Sequence, residues 1–224
     1  MDAWVSPFRS LLLPLAAVAG LSGFSDTTRD ALPPPPPHFA PPHETLFADN
    51  FADGLERWTV DRTGVWRTTR GMLRADLPDA KQERSLLYTG SEEWSDYAVD
   101  LDVCMVRGVD KGVIVRVQGD QGIAVDLRGP GYQDVILNRR EWPLGRATAL
   151  NANSMWHHLR VEAQGHNYRV FVNGELKLDR LDGRRARPRG RIALAAYTGG
   201  VGQCTVYNDN VVVTPLAPAT AERR

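Results

Sequence analysis

The residues best equipped for chemistry are three charged side chains in two short alternating stretches. Arg116 stands opposite the apolar positions Val113, Val115 and Val117 of Gly112–Gln118. Asp126 and Arg128 stand opposite Ile123, Val125 and Leu127 of Gly122–Arg128. In a strand, alternate side chains share a face. If the two strands are neighbours, Arg116 meets Asp126 on one polar face and Arg128 continues the row. A guanidinium and a carboxylate so placed donate to one sugar hydroxyl and accept from another. The same pair also serves as a plain cross-strand salt bridge on a solvated sheet. The stretch from Gly129 to Gly145 reads as a loop around a strand at Asp134–Asn138, and brings Tyr132, Gln133, Asn138 and Trp142. Trp142, between Glu141 and Pro143, either offers a ring to the C–H side of a pyranose or tucks beneath its own loop.

Other chemistries lack their residues. There is no Gly-x-Ser-x-Gly elbow, no His-Glu-x-x-His and no phosphate loop. His157 and His158 are adjacent in an alternating stretch, point to opposite faces and cannot share a metal. Glycoside hydrolysis takes two carboxylates about 5–10 Å apart. Asp100 and Asp102 have same-face spacing, but no Glu follows them, and they read as a solvated strand face. The sequence thus leans away from an enzyme. The 27 Lys and Arg balance 27 Asp and Glu, which gives no electrostatic case for a nucleic acid or an anionic membrane. The arginine-rich run Arg180–Arg191 is flanked by Asp179 and Asp182 and reads as a solvated loop.

Positioning such groups requires a sheet. From Trp156 to Asp179 the pattern is three antiparallel strands: Leu159 and Val161 alternate with polar residues, then Tyr168, Val170 and Val172 do the same. Asn173-Gly174 between the last two supplies the positive φ values of a type I′ turn. From Thr45 to Thr214 about a dozen such strands follow one another at close spacing, with turn signals between them and no helical period. That is the pattern of an all-β, two-sheet antiparallel sandwich, with more strands than an immunoglobulin domain uses.

The N-terminal region reads differently. Residues 1–25 resemble an export signal, with Arg9, an apolar run from Leu11 and Ala17-Val18-Ala19 as a cleavage signature. The run is too short and too broken by Pro14 and Gly20 to span a bilayer. This predicts a secreted or periplasmic protein with no membrane span once mature. Residues 26–44, with five prolines from Pro33 to Pro37, are expected to be a stiff spacer, although such runs also dock to proline-binding domains. The domain is expected over 45–216, and 217–224 as a disordered tail.

The order of several short motifs resembles the concanavalin A-like jelly rolls, in particular the laminin-G-like and three-keto-disaccharide hydrolase families. The motifs are Leu46-Phe47-x-Asp49-Asn50-Phe51, Trp66 with Gly71-x-Leu73, Ser95-Asp96-Tyr97, Lys111–Arg116, Trp156–Val161, Gly190-x-Ile192 and Val206–Val213. The resemblance implies a convex and a concave sheet, with a carbohydrate on the concave face or rim loops. It also carries two alternatives, hydrolysis of (three-keto-)disaccharides and a laminin-G-like adhesive role. Where the hydrolase-like family has Gly-Tyr-Glu-x-Gln, this chain reads Gly122-Ile123-Ala124-Val125-Asp126, so the acidic position holds Ala124. Calcium is a further implication, with Asp49, Asn50, Asp209 and Asn210 as oxygen donors near the two ends of the domain; turn formation is their other reading. In jelly rolls of this kind the last strand often runs beside the one after the Ser-Asp-Tyr corner. That would bring Cys104 and Cys204 within bonding distance, unless register leaves them two buried thiols.

Overall fold

The computed structural model describes residues 34–38, 40–119, 121–139, 142–183 and 187–218, and of Trp142 only the backbone. The proposed export signal and the last six residues lie outside that range. The strands form two antiparallel sheets stacked as a sandwich. Sheet A has the order β13 (Glu175–Leu181), β12 (Asn167–Val172), β11 (His157–Gln164), β6 (Tyr97–Arg107), β15 (Cys204–Pro215), β4 (Met72–Leu77) and β3 (Trp66–Thr69), with β1 (Phe47–Asp49) also paired to β15. Sheet B has the order β10 (Trp142–Thr148), β9 (Asp134–Arg139), β8 (Gln121–Arg128), β7 (Asp110–Gln118), β14 (Arg191–Tyr197), β5 (Arg84–Thr89) and β2 (Thr59–Val60). The only helical element among the described residues is a single 3₁₀ turn at Gly199–Val201. No described helix is long and apolar enough to cross a membrane.

Alternation explains the stacking. Val99, Leu101, Val103 and Met105 of β6 face Val113 and Val115 of β7 and Ile123, Val125 and Leu127 of β8 across one fully buried core. Each such side chain contributes about 1.5–3 kcal/mol by leaving water. The β12–β13 hairpin closes through Asn173 at φ 51° and Gly174 at φ 81°, the two left-handed residues that a type I′ turn needs. The expected meander β11–β12–β13 forms with β11 also paired to β6.

Several expectations change. The link between the two sheets at this end is short: β6 runs to Arg107 and β7 starts at Asp110, so only Gly108 and Val109 intervene. The strand expected at Asp134–Asn138 forms as β9, but the stretch after it is no loop, because β10 starts at Trp142 and pairs with β9 as a hairpin. At Arg116, φ is 55° and the β7–β8 and β7–β14 registers shift, a β-bulge. The extra residue turns Val117 away from the Val113–Val115 face, and it packs with Leu86 and Ala193 on the other side of sheet B.

The disulfide does not form. β6 and β15 are neighbours, as the resemblance implied, but Cys104 pairs with Tyr207 and Cys204 pairs with Leu77. Three residues along a strand is about 10 Å. Cys104 packs with Met72 and Tyr207 on the outer face of sheet A, whereas Cys204 belongs to the core between the sheets. Both are buried free thiols.

Candidate functional site

The outer face of sheet B, turned away from the core, is a grid of cross-strand rows. One row reads Arg84, Tyr197, Asp110, Arg128, Asp134, Thr148. The next reads Leu86, Ala195, Gly112, Asp126, Ile136, Arg146. The third reads Tyr88, Ala193, Ile114, Ala124, Asn138. Small residues therefore form a shallow floor across three strands, with an aromatic end at Tyr88 and a charged end at Arg128 and Asp134. The alternation that buries Val113, Val125 and Val135 on one side necessarily presents these residues on the other.

Asp126 sits in the middle row. Burial pushes its carboxyl up to about 7, helped by the neighbouring Asp110 charge and opposed by a hydrogen bond from Asn138 and the Arg128 charge. Asp110 lies diagonally across β7, and burial raises its carboxyl as well. Its Oδ2 fits against the 3₁₀ turn because residue 199 is glycine: a Cβ there would lie 2.8 Å away, at φ 53°. Arg128 donates from Nε and Nη2 to Asp134 at 2.9 and 2.8 Å, and its guanidinium lies over the Tyr132 ring at 4.2 Å. Arg146 reaches the same Asp134 carboxylate. Those two arginines hold the Asp134 carboxyl below its ordinary value against the opposing effect of burial. Tyr132 is 50% exposed and presents its remaining surface to solvent.

The structure thus brings Asp126, Arg128, Tyr132 and Asn138 together, and separates Arg116 from them. Arg116 is fully buried. It donates to Asp96 Oδ1 at 3.1 Å, to Ala163 O of β11 at 3.0 Å and to Arg187 O at 2.6 Å, while its backbone N–H donates to the Tyr97 hydroxyl at 2.7 Å. The bulge aims the side chain between the sheets, so Arg116 pins the Ser95-Asp96-Tyr97 corner and is unavailable to a ligand. Trp142 opens β10 opposite Arg139, and its side chain lies outside the described residues. Sequence reasoning missed Asp110, Asp134, Tyr88 and Tyr197. Asp110 was legible as the even-numbered partner of Gly112 and Ile114, had the strand been extended two residues.

The outer face of sheet A carries a second charged array. His158 lies 2.9 Å from Asp102 Oδ1 through Nδ1 and 3.2 Å from Asp100 Oδ1 through Nε2. Arg160 donates to Asp100 Oδ2 at 2.5 Å and to Glu162 at 3.0 Å. The expected calcium donors lie near this array, most of them accepting hydrogen bonds within the protein, with the buried Asp209 Oδ2 left without a partner. Asp49 accepts from Phe51 N at 2.7 Å and from Trp58 Nε1 at 2.9 Å, which occupies both carboxylate oxygens. Asn50 accepts from Ala52 N at 3.2 Å, an ordinary turn contact. Asp209 accepts from Asn210 N at 2.8 Å, and burial pushes its carboxyl up to about 6. No group of three or more His, Cys, Asp or Glu side chains among the described residues is arranged to hold a metal.

The sequence matches the 3-keto-alpha-glucoside-1,2-lyase-like domain over residues 43–213, which is most of the chain. The protein belongs to this family. No curated protein sequence matches it. Among solved structures it is similar to the carbohydrate-binding module CBM66 from Bacillus subtilis, with TM-score 0.60, 17% identity, and 71% of this chain and 96% of that one covered. It is also similar to the VIP36 exoplasmic/lumenal domain in its Ca²⁺/Man3GlcNAc-bound form, with TM-score 0.59, 14% identity and coverage of 78% and 90%. A third is a prokaryotic β-1,3-1,4-glucanase (lichenase) derived from a mouse hindgut metagenome, with TM-score 0.59, 12% identity and coverage of 76% and 99%. At these identities the likeness is one of fold, the concanavalin A-like jelly roll. Within that fold, Ala124 lies on the outer face of sheet B, opposite Ile114 and Asn138.

Proposed function

We propose that this domain binds a carbohydrate on the outer face of sheet B, the counterpart of the concave face that the family resemblance implies. The observation that carries the reading is the juxtaposition of Asp126 and Asn138 with a floor of small residues, Gly112, Ala124, Ala193 and Ala195. A sugar ring laid on that floor meets C–H groups with its flat side. Its hydroxyls meet a carboxyl and an amide that accept and donate in turn. Tyr132 and Tyr88 at opposite ends supply aromatic surface. Similarity to a carbohydrate-binding module and to a mannose-oligosaccharide-bound lectin-like domain supports the reading. Secretion, which the N-terminal sequence predicts, fits a partner found outside the cell.

A second reading is favoured by Asp126 and Asp110 together. Two carboxyls on one face, one of them half-protonated near neutrality, are an acid–base pair in form. The matched family is described as lyase-like. This reading makes the protein an enzyme on (three-keto-)disaccharides, with Asp126 as the proton-transferring group in place of the acidic residue lost at Ala124.

A glycan array probed with the full chain and with Asp126→Ala and Asn138→Ala tests the first reading. Retained binding by both variants places the site elsewhere. Incubation of the same proteins with three-keto and ordinary disaccharides, followed by product analysis, separates the readings: turnover lost in Asp126→Ala establishes the enzyme, and binding without turnover establishes the module.

A further inference from the structure

The proline run was expected to be a spacer. In the structure, Pro34–His38 lies against the outer face of sheet A. Trp156 Nε1 donates to Pro34 O at 2.5 Å, and Asn210 Nδ2 donates to Pro37 O at 2.9 Å. His38 Nδ1 donates to Asn210 Oδ1 at 3.1 Å. Pro36 is buried, whereas Pro34, Pro35 and Pro37 are exposed.

The spacing has a physical reason. A polyproline II helix has three residues per turn, so the carbonyls of residues i and i+3 point the same way about 9 Å apart. Pro34 and Pro37 are three residues apart, the spacing of such a pair, and their carbonyls are the two that accept from sheet A. Proline carbonyls have no internal N–H donors to pair with, because the prolines lack them. A surface that recognises this helix must supply side-chain donors at that repeat, beside an apolar pocket for the residue between. Trp156 precedes β11 and Asn210 sits at a bulge of β15, so the two donors flank β6, which runs between those strands. Trp156 also packs on the apolar patch of Met72, Cys104 and Tyr207. Asn210 is fixed for the task by a second donation, to Asp102 Oδ2 at 2.8 Å.

We propose that this face of sheet A is a polyproline-recognition groove whose occupant is the chain's own segment Pro34–Pro37. The described part of the run is then a strap that belongs to the domain and covers part of that sheet. This does not rest on the carbohydrate reading, which concerns the opposite sheet.

The test uses the full chain with Pro34–Pro37 replaced by Gly-Ser-Gly-Ser, with Trp156→Phe, and with both changes. Trp156→Phe keeps an aromatic ring and removes only the indole donor. The replacement should lower the melting temperature by about 2–6 °C, the size of a loss of one or two hydrogen bonds with a buried ring in a domain of this length. The double change should cost clearly less than the sum of the single ones. The Trp156 indole proton, identified by its disappearance in Trp156→Phe, should shift and exchange faster in the replaced chain. A melting temperature indifferent to the replacement, strictly additive effects, or an unmoved indole proton would each overturn the strap.

Discussion

Asp110 stands diagonally across two neighbouring strands from Asp126, on the face of sheet B turned away from the core between the sheets. Burial raises both carboxyls, and the Asp110 charge makes Asp126 harder still to ionise, while Asp110 itself is raised further by Asp134. Arg128, the nearest cation in the grid, is bound up with Asp134 and does not neutralise either one outright. Asp126 is consequently the group in this face most sensitive to pH near neutrality.

Two effects of pH follow at Asp126, whose carboxyl is pushed up to about 7 from an ordinary 3.8. Because the folded value is the higher one, its share of stability is complete below about 4 and is lost as pH rises through about 7. Asp126→Asn should therefore flatten the fall in melting temperature across that window. Carbohydrate binding should change in the opposite sense: the ionised carboxyl accepts the stronger hydrogen bonds, so affinity should climb several-fold between pH 6 and 8, and Asp126→Asn should abolish the climb. Titration calorimetry at several pH values measures this, and a pH-independent affinity would remove Asp126 from the site.

On the opposite sheet, the carboxylates of Asp100 and Asp102 clamp His158 and raise its imidazole to about 9 from 6.5. A raised basic group stabilises fully below its unfolded value and loses that contribution as pH rises through the folded value. The window is thus pH 6.5–9. Thermal melts across it should show a decline in the native chain that His158→Gln lacks. An identical slope in both proteins would mean the clamp is electrostatically inert.

Arg116 is predicted to be a folding residue. Removing its guanidinium leaves the Asp96 carboxylate and two carbonyls short of a donor in the interior. Arg116→Ala should cost on the order of 3 kcal/mol. Arg116→Lys should recover only part of this, since an ammonium cannot reproduce the planar fork. Urea denaturation measures both, and a loss of binding with an unchanged midpoint would instead return Arg116 to the ligand site.

The cysteines give the simplest test. Cys104 and Cys204 are buried, and burial pushes their thiols up to about 11 and about 12. In the folded protein neither should react with a thiol reagent at neutral pH. After denaturation without reductant both should react. Recovery of fewer than two thiols would mean that the strands are paired in another register.

The sandwich was legible in the sequence because it rests on local rules: period-two alternation in β6, β8 and β11, and two left-handed residues at Asn173-Gly174. The outer-face positions of Asp126 and Arg128 followed from that alternation, since a strand that buries one set of side chains must present the other. What the sequence did not determine was anything that depends on a break in the period or on which strands meet. A single extra residue at the Arg116 bulge reversed the direction of a side chain that strict alternation placed beside Asp126. The register of β15 on β6, set by packing along the whole strand, put Cys104 and Cys204 on opposite faces of one sheet. The proline run carries no periodic signal for what it touches. Only the tertiary structure set Trp156 and Asn210, 54 positions apart in the chain, against the carbonyls of Pro34 and Pro37.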